Sequence, residues 1–203
     1  MLFRSGTWPD QRRQYFTLYD VKKTMQREKP GAGLEGAMWN ALDHLGEQMM
    51  AKRFVREDGA ELKTNLVLID ANWGQSTTTV RDWCRRSAWG AAFAPAHGRY
   101  VGAASRPITE RVAKKERSGD HWKTSLIHNQ VHILFDTNYW KTFITERLAV
   151  AFGDPGCLSL FGKERDHRLL ADHLMAEYRV RVEAKGRTVD EWKAKPEKHD
   201  NHW

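Results

Sequence analysis

Two aspartates and one run of cations are the residues of this sequence best suited to chemistry. Leu66-Val67-Leu68-Ile69 is an apolar run that ends in Asp70, followed by Ala71-Asn72-Trp73-Gly74-Gln75. The run reads as a strand with both faces buried. A carboxylate at the carboxyl end of a central strand stands where α/β sheets open into a crevice. Alternatively, Asp70 only ends the strand and shapes the turn, a common use of Asp. Asp136 follows a second apolar run, Val131-His132-Ile133-Leu134-Phe135. It either caps the helix that opens at Thr137 or stands as a carboxylate near a metal site. Residues 95–119 lack periodicity and carry Arg99, Arg106, Arg111, Lys114, Lys115 and Arg117 against Glu110 and Glu116. Such a segment is either a solvated loop or a set of phosphate contacts.

The charge of the whole chain bears on that choice. Its 203 residues carry a formal net charge of +7 and a pI near 9.5. A balance of this size favours a polyanionic partner, nucleic acid or an anionic membrane. No apolar run approaches the roughly 20 residues a membrane span needs, and Met1-Leu2-Phe3-Arg4-Ser5 lacks the apolar stretch of a signal peptide. Cys84 and Cys157 are far apart in apolar settings, which suits a reducing cytosol and forms no disulfide or zinc pattern. None of the nine His has zinc-site partners at suitable spacing. The terminal Lys198-His199-Asp200-Asn201-His202-Trp203 reads as a frayed end. No phosphate-binding loop and no nucleophile elbow occurs. Apolar residues make up 40% and charged residues 29%, enough for one core and one domain over 1–203.

The elements that must position these residues follow from hydrophobic period and turn signals. Tyr15 to Val21 reads as a strand after a loop-like 1–14. Leu34, Met38, Leu42, Leu45 and Met49 recur at helical spacing, so a helix is expected from Gly33 to about Phe54. Glu57-Asp58-Gly59 is a turn. After Asp70, a helix capped near Ser76 or Thr77 runs to about Gly90, and Ala91-Ala92-Phe93-Ala94 is a second strand. Strand, helix and strand predict a parallel crossover pair. Strands are expected at 121–126 and 131–135, a helix through Ala149, a strand at Cys157–Phe161 and a helix over 165–178. Tyr178 to Val182 alternates as an edge strand with Arg179 and Arg181 outward, ahead of a polar tail over 185–203.

Four segments in this order resemble a known family: Ile69-Asp70-Ala71-Asn72-Trp73-Gly74-Gln75-Ser76-Thr77, His97-Gly98-Arg99-Tyr100-Val101-Gly102, Phe135-Asp136-Thr137-Asn138-Tyr139-Trp140-Lys141 and Asp200-Asn201-His202-Trp203. They are similar to the nuclease region of the large terminase subunit of tailed phages, in the lambda-like (GpA) branch, over nearly all of the chain. The resemblance implies an α/β, RNase H-like mixed sheet flanked by helices. It implies a metal-dependent endonuclease that cuts concatemeric double-stranded DNA during packaging. The small terminase subunit and the portal would be partners of the intact protein, in the cytoplasm of the bacterial host.

Acids gathered from several strands would hold two Mg²⁺ or Mn²⁺ ions, hard cations that favour carboxylates. On this resemblance Asp70 and Asp136 are the metal-binding and catalytic candidates, Asp136 in a ligating or a supporting role. Arg99, Arg106, Arg111, Lys114 and Lys115 are the DNA-binding candidates. The family's first acid lies on a first central strand upstream of residue 1, and its last a couple of residues beyond Trp203. The chain is therefore expected to hold one of three principal acids, which leaves the two-metal site incomplete and its metal binding badly weakened, and to be marginally stable, or to pair its open sheet edge with another copy. The alternative is a prophage fragment that only binds DNA or serves as an assembly module.

Overall fold

A computed structural model describes residues 33–55, 59–72, 74, 77–160 and 163–196. The expected strand at 15–21, the loop at 1–14 and the end of the tail at 197–203 lie outside the described residues. Among the described residues the chain is mixed α/β. Its helices are α1 (Gly33–Ala51), α2 (Thr77–Arg86), α3 (Thr137–Ala149) and α4 (Arg168–Leu174). Strands β1 (Arg53–Val55) and β2 (Glu61–Lys63) form an antiparallel hairpin. Strands β3 (Val67–Asp70), β4 (Phe93–Arg99), β5 (Ser118–Gly119), β6 (Trp122–Ile127) and β7 (Gln130–Asp136) form a mixed sheet in the order β3-β4-β7-β6-β5. Strands β8 (Glu177–Ala184) and β9 (Arg187–Ala194) form a separate antiparallel pair.

The chain divides into two compact units, one holding residues 33–97 and 124–133, the other 98–123 and 134–196. In the first, β3 and β4 are parallel, with Val67 opposite Phe93 and Asp70 opposite Ala96. The expected crossover pair is present, with α2 as its connection. Val67, Ile69, Val80, Trp83 and Phe93 are buried, and Trp83 meets Phe93 edge to face at 5.0 Å. The indole Nε1 of Trp83 donates to Asp43 of α1 at 2.7 Å, which satisfies the polar atom of a fully buried ring.

In the second unit, α3 packs against β9 through Asn138. Its Oδ1 accepts from the Trp192 backbone N–H at 2.9 Å, and its Nδ2 donates to the Val101 carbonyl at 3.2 Å. An ion pair between Lys141 and Glu177 adds to this packing.

Several expectations are corrected. Helix α1 stops at Ala51, and residues 53–55 pair with 61–63, because Phe54-Val55 favours a strand and Gly59 takes φ of +81° in the connection. Strand β3 is not buried on both faces. Val67 and Ile69 are 3% exposed but Leu68 is 39% exposed, so one face meets solvent. Helix α2 ends at Arg86, and residues 90–92 form a 3₁₀ turn before β4, which runs on to Arg99. Residues 157–160 are not a strand. The helix expected at 165–178 is a 3₁₀ turn (Glu164–His167) followed by α4, which ends at Leu174. The edge strand lengthens to 177–184, and much of the polar tail is its partner β9. The turn between them, Lys185-Gly186, has both φ angles positive, as tight hairpins prefer.

Candidate active site

Asp70 is the last residue of β3 and is exposed. The backbone N–H of Asn72 donates to its Oδ1 at 3.1 Å, closing a tight side-chain turn. Its Oδ2 has no hydrogen-bond partner among the described residues. The β3–β4 ladder continues one step further, with the Ala71 N–H donating to the Ala96 carbonyl at 2.9 Å. Thr77 at the start of α2 donates its hydroxyl to the Ala71 carbonyl at 2.6 Å. The turn after Asp70 is thus tied both to the neighbouring strand and to the following helix.

A pair of imidazoles lies beside this turn. His97 on β4 directs Nδ1 at the Asn72 side-chain oxygen at 3.2 Å and Nε2 at His132 Nδ1 at 2.8 Å. The two rings stack with centroids 5.1 Å apart. His132 on β7 is fully buried, and its Nε2 has no partner among the described residues. Burial pushes the His132 pKa down to about 4, helped by His97, Arg81 and His128. The ring is neutral at physiological pH. The spacing of histidines along the chain did not single out this pair. The available signal was local, since His132 interrupts the otherwise apolar run of Val131, Ile133, Leu134 and Phe135 in its strand.

Asp136 is 4% exposed and caps α3. Its Oδ1 accepts from the backbone N–H groups of Asn138 at 3.0 Å and Tyr139 at 3.3 Å. Its Oδ2 faces His121 Nδ1 at 3.2 Å, and the His121 ring stacks on Tyr139 at 3.7 Å. Both carboxylate oxygens are therefore engaged within the second unit.

The cations expected to touch DNA are exposed. Arg99 ends β4, and its carbonyl accepts from the Thr137 hydroxyl at 3.1 Å. Arg106 lies 3.8 Å from Glu110, a loose surface pair. The Arg111 carbonyl accepts from Lys123 at 2.6 Å, and Lys123 also reaches Glu116 at 3.4 Å. Lys114 and Lys115 make no ion pair among the described residues. The segment from 100 to 117 has no regular structure, but it is pinned to β9. Glu191 accepts from the Tyr100 hydroxyl and from the Ala103 N–H. Lys185 and Arg187 bond the carbonyls of Ala104 and Ser105.

Among the described residues, no group of three or more His, Cys, Asp or Glu could hold a metal ion. They do not by themselves compose a two-metal centre. What the first unit supplies is one outward carboxylate, Asp70, on a braced turn. No helix among the described residues is long and apolar enough to cross a membrane.

Comparison with known proteins agrees with the four sequence segments. The family described as terminase large subunit gpA, endonuclease domain, matches residues 19–203. No curated protein and no solved structure matches the chain. With this match spanning nearly its whole length, the chain belongs to the family of gpA terminase large subunit endonuclease domains.

Proposed function

We propose that this chain is the DNA-cutting module of a phage packaging terminase, hydrolysing phosphodiester bonds of concatemeric double-stranded DNA. The reading includes an RNase H-like fold, dependence on Mg²⁺ or Mn²⁺, and action in the host cytoplasm alongside the small subunit and portal of the intact terminase. The observation that carries it is the placement of Asp70. Within a chain that matches the nuclease family, it is an exposed carboxylate at the carboxyl end of a parallel strand pair, with one oxygen uncommitted among the described residues.

Each group has a distinct task in this reading. Asp70 is the acid that meets the reacting phosphate through a hard divalent cation. Asp136 caps α3 and holds His121, which leaves its carboxylate occupied. Arg99, Arg106, Arg111, Lys114 and Lys115 bind backbone phosphates without reading sequence.

A second reading is favoured by one observation, the lack of a three-ligand cluster among the described residues. In that reading the chain binds DNA through its cations and cuts nothing. Incubating supercoiled plasmid with the chain in Mn²⁺ separates the two. Nicked or linear product supports the nuclease. Salt-sensitive binding with intact plasmid supports the binding module.

A further inference from the structure

Three hydrogen bonds link a buried ring to the Asp70 carboxylate. Asn72 presents a side-chain oxygen to His97, so Nδ1 of His97 carries the proton. Its Nε2 meets His132 Nδ1 at 2.8 Å. His132 Nε2 has no partner among the described residues. The chain ends where the Asn72 N–H donates to Asp70 Oδ1. Each bond sets the tautomer or orientation of the next group.

We propose that His97, held by His132, is a positioning residue that locks the Asp70–Asn72 turn so that Asp70 Oδ2 faces outward in a single orientation. The proposal rests on reading Asp70 as the catalytic acid. The physical need is clear. An exposed Asp explores several rotamers, and a reacting group must be held within a fraction of an ångström. Asn72 is itself exposed and cannot hold the turn by burial. A rigid partner that it does have is His97, nearly buried on the strand next to β3 and one residue past Ala96, the register mate of Asp70. His132, with no exposed surface, anchors His97 in turn. A buried polar group is costly unless it is hydrogen-bonded, and the contact with His132 gives His97 Nε2 a partner.

The test uses the full chain and three variants. Asn72→Ala removes an exposed amide. His97→Ala removes the ring. His97→Asn keeps a donor at the Nδ1 position. Amide exchange at residue 72 reads the turn directly, and single-turnover cleavage with separate DNA-affinity measurement reads the chemistry.

Asn72→Ala and His97→Ala are expected to speed exchange at residue 72 by about tenfold or more. They are expected to slow cleavage by about 10–100-fold, as loss of an orienting partner does, with DNA affinity unchanged. The double variant is no slower than either single one, since both break the same connection. His97→Asn restores most of both readouts. Unchanged exchange at residue 72 overturns the proposal whatever the activity, and so does faster exchange with undiminished cleavage. Asp70→Asn keeps the two ideas apart. If it abolishes cleavage while the other variants cut at full rate, Asp70 stands and the positioning role falls. If it leaves cleavage intact, the reading of Asp70 falls, and the positioning role falls with it.

Discussion

Glu191 and Tyr100, far apart in sequence, meet at 2.6 Å, the phenol hydroxyl donating to the carboxylate. The second oxygen of Glu191 accepts from the Ala103 N–H at 3.0 Å. One side chain of β9 thereby holds the start of the cationic segment. Burial, together with this carboxylate, pushes the Tyr100 pKa up to about 12, while the Tyr100 hydroxyl holds the Glu191 carboxyl below its usual value.

Removing the carboxylate tests the pin. Glu191→Ala is expected to free the Ala103 amide to exchange about tenfold faster. The Tyr100 pKa should drop part of the way toward the usual value of about 10, because the negative charge that opposes the phenolate is gone. Titration of labelled tyrosine by NMR reads the shift. An unmoved Tyr100 pKa with unchanged exchange would show that the segment is held by other contacts.

Asp136 separates a cap from a ligand. Asn caps a helix nearly as well as Asp, whereas Ala does not. Asp136→Ala should cost about 1–2 kcal/mol in denaturant unfolding, and Asp136→Asn about 1 kcal/mol or less. Cleavage by Asp136→Asn should stay near that of the unaltered chain. Loss of all activity in a stable Asp136→Asn protein would instead make this carboxylate a direct participant.

His132 supplies a pH dependence with a definite sign. Its pKa is lowered in the fold to about 4, from the usual histidine value of about 6.5. Between these values the unfolded chain takes up a proton that the folded chain refuses. The stability is fully present above about pH 6.5 and is lost as pH falls toward about 4. Melting temperatures across that window should fall more steeply for the unaltered chain than for His132→Gln. Parallel curves for the two would rule out a neutral buried ring.

The cationic segment has its own readout. Changing Arg99, Arg106 and Arg111 together to Ala should weaken DNA binding equally for unrelated sequences. It should reduce the slope of log affinity against log salt by about 2–3, one counterion per lost phosphate contact. A triple variant with an unchanged slope would mean that these side chains do not touch phosphate.

The parts of the structure that the sequence disclosed share a physical cause. The run from Leu66 to Ile69 ends abruptly at a charge, and the short apolar stretch around Phe93 lies one helix later, so a parallel pair was legible. Helix α3 was legible because Asp136-Thr137 joins a cap to a helical pattern. Two hairpins were not. Phe54 continues the helical period of α1 by coincidence, so β1 was hidden inside it. The β8–β9 pair is charged on both faces, with Arg179, Arg181, Glu183 and Asp190 on one and Arg187, Glu191 and Lys193 on the other, so half of it read as a polar tail. The His97–His132 pair was hidden for a different reason. A histidine pattern reports neither burial nor tautomer, and it is the approach of β4 to β7 within the sheet that makes these rings neighbours.

The most direct measurement compares the unaltered chain with Asp70→Asn on supercoiled plasmid in Mn²⁺, with DNA binding measured in parallel. The account predicts nicked and linear DNA from the unaltered chain, intact plasmid from the variant, and equal DNA affinity for both. Equal cutting by both proteins would contradict it, as would intact plasmid with both.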